Sequence, residues 1–301
     1  MKTSVAAILG LVVICSACAR RPRQVNPRPP RELGAAEQTV LTAAPAGFDV
    51  PREGIAHGKT EIVEYDSTTV GNKRRALVYT PPEYSNRTNS NKIGYPVLYL
   101  SHGITGDEME WQRNGSAEVI LDNLYAEKKI VPMIVVFPNG RAQPDDRADG
   151  PNVRDLAAFA RFEQDLLNDL IPFMESHYPV EHGSQYRALA GLSVGGGQAL
   201  NIGLNIGLGH LDTFAWVGAF SAAQNTKPPA QLIPNPGQAK QKLNLLWVSC
   251  GDQDRLMYIS QRLHTYLTDK DVPHVWQVDS GGHDFSVWKN DLYLFSQRIF
   301  R

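Results

Sequence analysis

A serine between two glycines stands where the sequence pattern changes from strand to helix. Residues 186–190 are typical of a strand, Gly191-Leu192-Ser193-Val194-Gly195 follows, and the residues after it are typical of a helix. A sharp strand–serine–helix turn leaves no room for side chains on either side of the serine, so glycine fits at 191 and 195. The G-x-S-x-G pattern alone is weak, but this context indicates a nucleophile at Ser193.

Short apolar runs alternate with helical stretches along most of the chain. They show little polar alternation, which is typical of a parallel sheet covered on both faces. These runs lie at residues 96–101, 133–137, 188–190, 245–249 and 275–278. The clearest helix is predicted at residues 155–175, with a local kink or end at Pro172. Residues 59–66 and 74–79 alternate around a turn, which predicts an antiparallel edge pair. The fold class is therefore predicted to be α/β.

A serine hydroxyl needs a base, and a nucleophile turn of this kind is followed in chain order by an acid and then a histidine. His283 lies in a Gly-rich loop after the last predicted strand, from which it can reach over the sheet edge to Ser193. The remaining histidines after Ser193 occur too early or within predicted elements: His210, His264 and His274. We therefore predict His283 as the base.

The acid is expected directly after the predicted strand at 245–249. A carboxylate there can accept the imidazole N–H and stabilise the imidazolium. Asp252 and Asp254 both qualify, and their spacing does not separate them. Asp284 is adjacent to the base in sequence and is poorly placed to accept the far-side proton, so we interpret it as a loop or helix-cap residue.

When a serine attacks a carbonyl group, the carbonyl oxygen becomes a negatively charged oxyanion. This oxyanion needs backbone N–H donors. The Val194 N–H, directly after the nucleophile, is one expected donor. The second is expected in residues 101–106 (SHGITG), which follow the predicted strand at 96–101. His102 in this loop is interpreted as a brace rather than a reacting group.

The N-terminus has the pattern of an export signal. Lys2 precedes a ten-residue apolar run at 5–14, which is too short to span a bilayer as a helix. Residues 17–19 (ACA) fit cleavage before Arg20, whereas the same region also resembles a lipobox that would lipidate Cys18 and attach the protein to a membrane. Both readings stay open. The protein is expected to be exported, as a periplasmic, secreted or membrane-anchored form.

Three segments are expected: a signal peptide at 1–19, a Pro/Arg-rich linker at 20–53 and a catalytic domain at 54–301. The linker begins with five Arg and four Pro in fifteen residues, which favours an extended tether. Cys250 is the single cysteine beyond the signal region, so disulfides do not hold the domain, and we interpret Cys250 as a small buried hydrophobe. A net charge of −1 gives no indication of a nucleic-acid partner.

Seven stretches between residue 77 and the C-terminus occur together in one order: LVYTPPEY (77–84), YPVLYLSHGITGDEMEW (95–111), VPMIVVFPNG (131–140), DLLNDLIPFMESHYPV (165–180), ALAGLSVGGGQAL (188–200), CGDQD (250–254) and GGHDFSVW (281–288). In these stretches the chain resembles the esterase-D-like carbohydrate esterases, also called carbohydrate esterase family 1. That group includes feruloyl and acetylxylan esterases, with enterochelin esterases as relatives. The resemblance implies an α/β-hydrolase fold.

The resemblance places the nucleophile on Ser193, the base on His283 and the acid on Asp254. It places the second oxyanion donor at Gly103 or Ile104, beside Val194. For substrate contacts it implies Trp111, in the loop that borders the family's cleft, and Asn139, after the neighbouring strand; a packing role for Trp111 is an equal alternative.

The sequence therefore predicts an exported serine esterase that uses no cofactor and no metal ion. The expected substrates are carbohydrate-linked feruloyl or acetyl esters, but the specificity loops of this family vary, so the substrate does not follow from the resemblance. The alternatives are a siderophore esterase of the enterochelin type, an acyltransferase, and a non-catalytic binding lipoprotein on the same fold. The acyl group, the alcohol and the oligomeric state are left open.

Overall fold

The computed structural model describes residues 42–84, 94–205 and 212–301. The predicted signal peptide with Cys18, residues 20–41 of the predicted linker and His210 lie outside the described residues. Within these three ranges, no helix is both long enough and apolar enough to cross a membrane.

A central sheet confirms the predicted α/β fold. Its eight strands are β1 (Lys59–Ser67), β2 (Asn72–Thr80), β3 (Val97–Ser101), β4 (Ile134–Pro138), β5 (Arg187–Leu192), β6 (Trp216–Phe220), β7 (Leu245–Gly251) and β8 (Val275–Asp279). The order across the sheet is β1-β2-β4-β3-β5-β6-β7-β8. β2 pairs antiparallel with β1 and with β4, and all other neighbours are parallel. The sheet is thus mostly parallel, with the predicted antiparallel pair at one edge. β6 was absent from the predicted runs.

Helices cover both faces of the sheet. The α-helices of the described residues are α1 (Glu110–Arg113), α2 (Ala117–Ala126), α3 (Leu156–Asp165), α4 (Ile171–His177), α5 (Val194–Gly203), α6 (Pro229–Leu232), α7 (Pro236–Lys242), α8 (Met257–Asp269) and α9 (Phe285–Ser296). Along β3, Leu98 and Leu100 pack into the core that contains α2 and α9. Val97 and Tyr99 point to the other face, into the core that contains α3 and α5. This two-residue alternation separates the two buried layers.

The long helix predicted at residues 155–175 is present, but it contains a wider turn. α3 continues through a π-helical turn at Leu166–Leu170 into α4. Pro172 lies in the first turn of α4. Proline has no N–H to donate and its ring crowds the carbonyl four residues earlier, so a wider turn accommodates it. The predicted kink or end at Pro172 thus falls directly after a π-helical turn, and the chain stays helical through the proline.

Residues 42–53, which we expected to be the end of the linker, contact the folded domain. Phe48 packs against the core, with its ring 5.3 Å from that of Tyr293 in an edge-on arrangement. The backbone N–H of Ala44 donates to Asn290 Oδ1 at 2.6 Å, and Asn123 Nδ2 donates to the Phe48 carbonyl at 2.9 Å. An aromatic ring and backbone groups of residues 42–53 thus have partners in the folded domain.

Candidate active site

Ser193 lies at the turn between β5 and α5 in a strained backbone conformation, with φ 53° and ψ −118°. Such a conformation costs about 1–3 kcal/mol and persists where surrounding structure holds it. Here the Ser193 N–H donates to the Phe220 carbonyl at 2.9 Å. A Cβ on Gly191 would lie 2.6 Å from the Gly195 carbonyl carbon, and one on Gly195 would lie 2.8 Å from the Ser101 carbonyl oxygen. Both positions therefore require glycine, as the sequence predicts.

Ser193, His283 and Asp254 form one hydrogen-bonded chain. His283 Nε2 lies 2.8 Å from Ser193 Oγ, and His283 Nδ1 lies 2.7 Å from Asp254 Oδ2. A carboxylate can only accept, so Nδ1 carries the proton and Nε2 accepts from the serine hydroxyl. Asp254 is buried, and its Oδ1 accepts from the Leu256 N–H at 2.7 Å, which fixes the carboxylate. The Trp288 ring contacts the imidazole edge-on at 5.0 Å.

The two other acidic candidates have different partners. Asp252 is exposed, and its Oδ1 accepts from the Gly281 N–H at 2.9 Å, which supports the loop that carries His283. Asp284 is the N-cap of α9, where its side chain accepts from the Ser286 N–H. Between Asp252 and Asp254, the geometry therefore brings Asp254 to the imidazole, and Asp284 is the cap that the sequence predicts.

The loop after β3 lies beside the nucleophile. A Cβ on Gly103 would be 3.8 Å from Ser193 Cβ. The Gly103 N–H already donates to Glu110 Oε2 at 2.8 Å. The N–H groups of Ile104 and Val194 have no hydrogen-bond partner among the described residues. Of the three expected oxyanion donors, Ile104 and Val194 are thus available, whereas Gly103 is occupied.

His102 braces this loop, as the sequence predicts. Its Nδ1 lies 2.6 Å from the Gly103 carbonyl, which can only accept, and its Nε2 accepts from the Gly140 N–H at 2.8 Å. These partners require the neutral tautomer with the proton on Nδ1. Burial, together with the nearby charge of Arg141, lowers the pKa of His102 to about 4. The ring therefore stays neutral at physiological pH.

Trp111, an expected substrate contact, is buried. Only 1% of its surface is exposed, and its Nε1 donates to the Ser101 carbonyl at 3.0 Å. Its ring packs edge-on against Phe220 and Phe285. This arrangement leaves no ring face free to contact a sugar or a phenol. Of the two alternatives given for Trp111, its position therefore fits the packing role.

Asn139, the other expected substrate contact, is also engaged within the protein. Its Nδ2 donates to the Asp146 carbonyl at 2.9 Å, and its Oδ1 accepts from the Arg141 N–H at 3.1 Å. It borders a polar cavity of about 240 Å³, which is also lined by Arg75, Asp107, Glu108, Asp146, Arg147, Ala148 and Asp149. Although Asn139 borders this cavity, its amide is engaged in hydrogen bonds within the protein.

An apolar cluster borders the nucleophile and was missed by sequence reasoning. Phe159, Val194 and Ala223 are buried together, with Ile104 and Leu256 packed against them. The Ala223 N–H donates to the Ser193 carbonyl at 3.0 Å, so the cluster directly adjoins the nucleophile turn. Phe159 belongs to the predicted apolar stripe of α3, which reads as ordinary core. The helical periodicity of apolar residues cannot indicate which of these residues will contact a loop from a distant part of the chain.

Cys250 is buried, as predicted, and burial raises the pKa of its thiol to about 12. A thiol with so high a pKa is a poor nucleophile. Among the described residues, no group of three or more His, Cys, Asp or Glu side chains is arranged to hold a metal ion.

A family model described as "Putative esterase" matches residues 67–298. The chain is similar to an endo-1,4-beta-xylanase/feruloyl esterase of Xylanibacter ruminicola, with 29% identity over 261 residues. This match covers 87% of the chain but only 34% of that relative, so the chain spans about a third of its length. An acetyl esterase of Caldicellulosiruptor saccharolyticus is 23% identical, over 64% of this chain and 78% of the relative.

The fold is also similar to that of solved structures. A CE1 ferulic acid esterase of Anaeromyces mucronatus superimposes with a TM-score of 0.72 at 23% identity, covering 88% of this chain and 98% of that one. At this identity the likeness concerns the fold, and it agrees with the α/β-hydrolase architecture that the sequence predicts.

Proposed function

This chain belongs to the esterase family, and we propose that it is a serine hydrolase that cleaves carboxylic esters through Ser193, His283 and Asp254. The observation that carries the proposal is the continuous hydrogen-bonded chain from the Ser193 hydroxyl to the Asp254 carboxylate, with distances of 2.8 Å and 2.7 Å. A strained turn that places the serine hydroxyl against the imidazole, an imidazole in the required tautomer and two unengaged N–H groups beside it form the arrangement that acyl transfer needs.

In the proposed reaction, Ser193 Oγ attacks the ester carbonyl while His283 Nε2 takes its proton. The Asp254 carboxylate stabilises the resulting imidazolium. The carbonyl oxygen becomes an oxyanion that accepts from the N–H groups of Val194 and Ile104. As the C–O bond breaks, Nε2 returns the proton to the leaving alcohol. A water molecule then gives a proton to Nε2 and attacks the acyl carbon. As the bond between the acyl carbon and Ser193 Oγ breaks, Nε2 returns this proton to Oγ, which releases the acid and restores Ser193 and the neutral His283.

The proposed substrates are feruloyl or acetyl esters linked to carbohydrate. The names of the xylanase/feruloyl esterase and the acetyl esterase support this pair of acyl groups. Ile104 and Leu256 are half-buried and pack on the buried apolar cluster beside Ser193, which supports an acyl side of low polarity there. An aromatic acyl group gains more from such a surface than a methyl group does, because the free energy of transfer grows with the apolar area that is buried. We therefore favour the feruloyl ester.

We also propose that the enzyme is exported. The support is the pattern of Lys2 followed by the apolar run at 5–14 and a cleavage or lipidation site. An enzyme encounters esters on polysaccharides outside the cell membrane, so an exported location agrees with the proposed substrate. The mass of the mature N-terminus tests the proposal, because cleavage before Arg20 and lipidation of Cys18 give different masses, and an intact Met1 would contradict export.

Hydrolysis of 4-nitrophenyl acetate, methyl ferulate and acetylated xylan by the purified protein tests the function. We expect turnover of at least one ester and, in Ser193→Ala, a loss of about 10⁴-fold or more in kcat. Ser176→Ala is the matched control, because this exposed serine on α4 bonds only its own helix and His177. Activity that survives in Ser193→Ala, or a wild-type protein without turnover on any ester, would contradict the proposal.

A further inference from the structure

The carboxylate of Glu110 lies inside the turn that carries the oxyanion donor. The turn is closed by the Gly106 N–H, which donates to the Gly103 carbonyl at 3.2 Å. Glu110 Oε2 accepts from the Gly103 N–H at 2.8 Å. A Cβ on Gly106 would collide with the same carboxylate, so the turn encloses the Glu110 side chain closely. Glu110 has no assigned part in the reaction described above.

The orientation of the Ile104 N–H depends on the peptide planes on both sides of Gly103. Glycine has the greatest backbone freedom, so this position does not fix its own φ and ψ. A Cβ here would lie 2.9 Å from Leu192 Cδ1, so a larger residue would require the Leu192 side chain to move. External partners must therefore hold the two planes.

Each of these two planes has one side-chain partner, and the plane after Gly103 also has the turn hydrogen bond from the Gly106 N–H. Glu110 holds the plane before Gly103 through its N–H. His102 holds the plane after it, because its Nδ1–H donates to the Gly103 carbonyl at 2.6 Å. In a trans peptide the carbonyl and the next N–H point in opposite directions, so holding the Gly103 carbonyl also directs the Ile104 N–H. The described peptides are all trans.

The helix that carries Glu110, α1, also holds the start of the loop after β3. Trp111, the residue after Glu110, donates to the Ser101 carbonyl at 3.0 Å. α1 thus contacts the loop at Ser101 through an indole and at Gly103 through a carboxylate. A half-buried carboxylate is costly to place near a developing oxyanion, so its presence here calls for a compensating role.

We propose that Glu110 is a positioning residue for the oxyanion site, which acts by accepting the Gly103 N–H and so directing the Ile104 N–H toward the substrate carbonyl. The inference rests on the proposed esterase function. The required property is hydrogen-bond acceptance and not the negative charge. Burial raises the pKa of the Glu110 carboxyl, which shows that this environment disfavours the charged form and would tolerate a neutral amide.

The test compares Glu110→Ala and Glu110→Gln with wild type, using kcat and KM for 4-nitrophenyl acetate and methyl ferulate. Loss of a whole oxyanion donor costs about 10²–10³-fold in kcat. Since Ala only releases the loop that carries the donor, we expect about a ten- to hundredfold lower kcat and a KM within about twofold of wild type. Glu110→Gln keeps the volume and an acceptor oxygen, so its kcat should be within about threefold of wild type.

Glu118→Ala is the matched control. Glu118 lies on the neighbouring helix α2, burial raises the pKa of its carboxyl too, and that carboxyl accepts from its own backbone N–H rather than from the loop. Its kcat should be unchanged. Circular dichroism and thermal unfolding identify any variant that fails to fold, and Glu110→Gln provides the result if Ala does not fold.

The outcomes separate this inference from the proposed function. An unchanged kcat in Glu110→Ala, a loss that occurs in KM instead, or a Gln variant as slow as Ala would overturn the role of Glu110 while the esterase function stands. A wild-type protein that hydrolyses no ester would overturn both.

Discussion

One buried imidazole, that of His102, should make the free energy of unfolding of the domain fall as the pH falls. His102 is 1% exposed, and burial lowers its pKa to about 4 from an ordinary value of 6.5. Between these values the unfolded chain binds a proton that the folded protein excludes. The stabilisation is therefore complete above pH 6.5 and is lost as the pH falls toward 4. One pKa unit corresponds to about 1.4 kcal/mol, so the free energy of unfolding should fall by about 2 kcal/mol at pH 5 and about 3 kcal/mol at pH 4.

Urea unfolding of wild type and His102→Gln at pH 7, 6, 5 and 4.5, followed by circular dichroism, isolates this contribution. Glutamine can donate to the Gly103 carbonyl and accept from the Gly140 N–H, but it does not titrate. His264 and His274 also have pKa values lowered by burial, and their contribution cancels because both proteins contain them. The wild type should lose about 2 kcal/mol more than the variant between pH 7 and 5. If the free energy of unfolding changed with pH by the same amount in wild type and in His102→Gln, the reasoning would be refuted.

Two further substitutions test the site. Asp254→Asn should lower kcat about 10⁴-fold, because an amide at this place favours the wrong imidazole tautomer, whereas the matched Asp252→Asn should stay within about threefold. Equal losses in the two variants would argue against Asp254 as the acid. Leu256→Ala should lower kcat/KM about tenfold more for methyl ferulate than for 4-nitrophenyl acetate, since it removes apolar surface beside the acyl group. An equal effect on both esters would put the acyl group elsewhere.

Local sequence patterns were enough to predict the α/β architecture and the kinds of residue that react. Continuous apolar runs predicted most of the parallel strands, because these strands are buried on both faces. Two-residue alternation predicted the antiparallel edge pair, and a three-to-four-residue period predicted the long helix. The glycines at 191 and 195 indicated the nucleophile turn, since steric exclusion there is a matter of neighbouring residues. Chain order then selected His283 among four histidines.

The remaining features depend on contacts between segments far apart in the chain. His283 meets Ser193 across 90 positions, and which carboxylate meets His283 depends on how the loop after β7 closes. Spacing left Asp252 and Asp254 equal, and the hydrogen bonds of the folded loops separate them. The engagement of the Gly103 N–H by Glu110 and the burial of Trp111 have the same origin. Composition and periodicity state which groups need partners, but the identity of each partner follows from the packing of the whole chain.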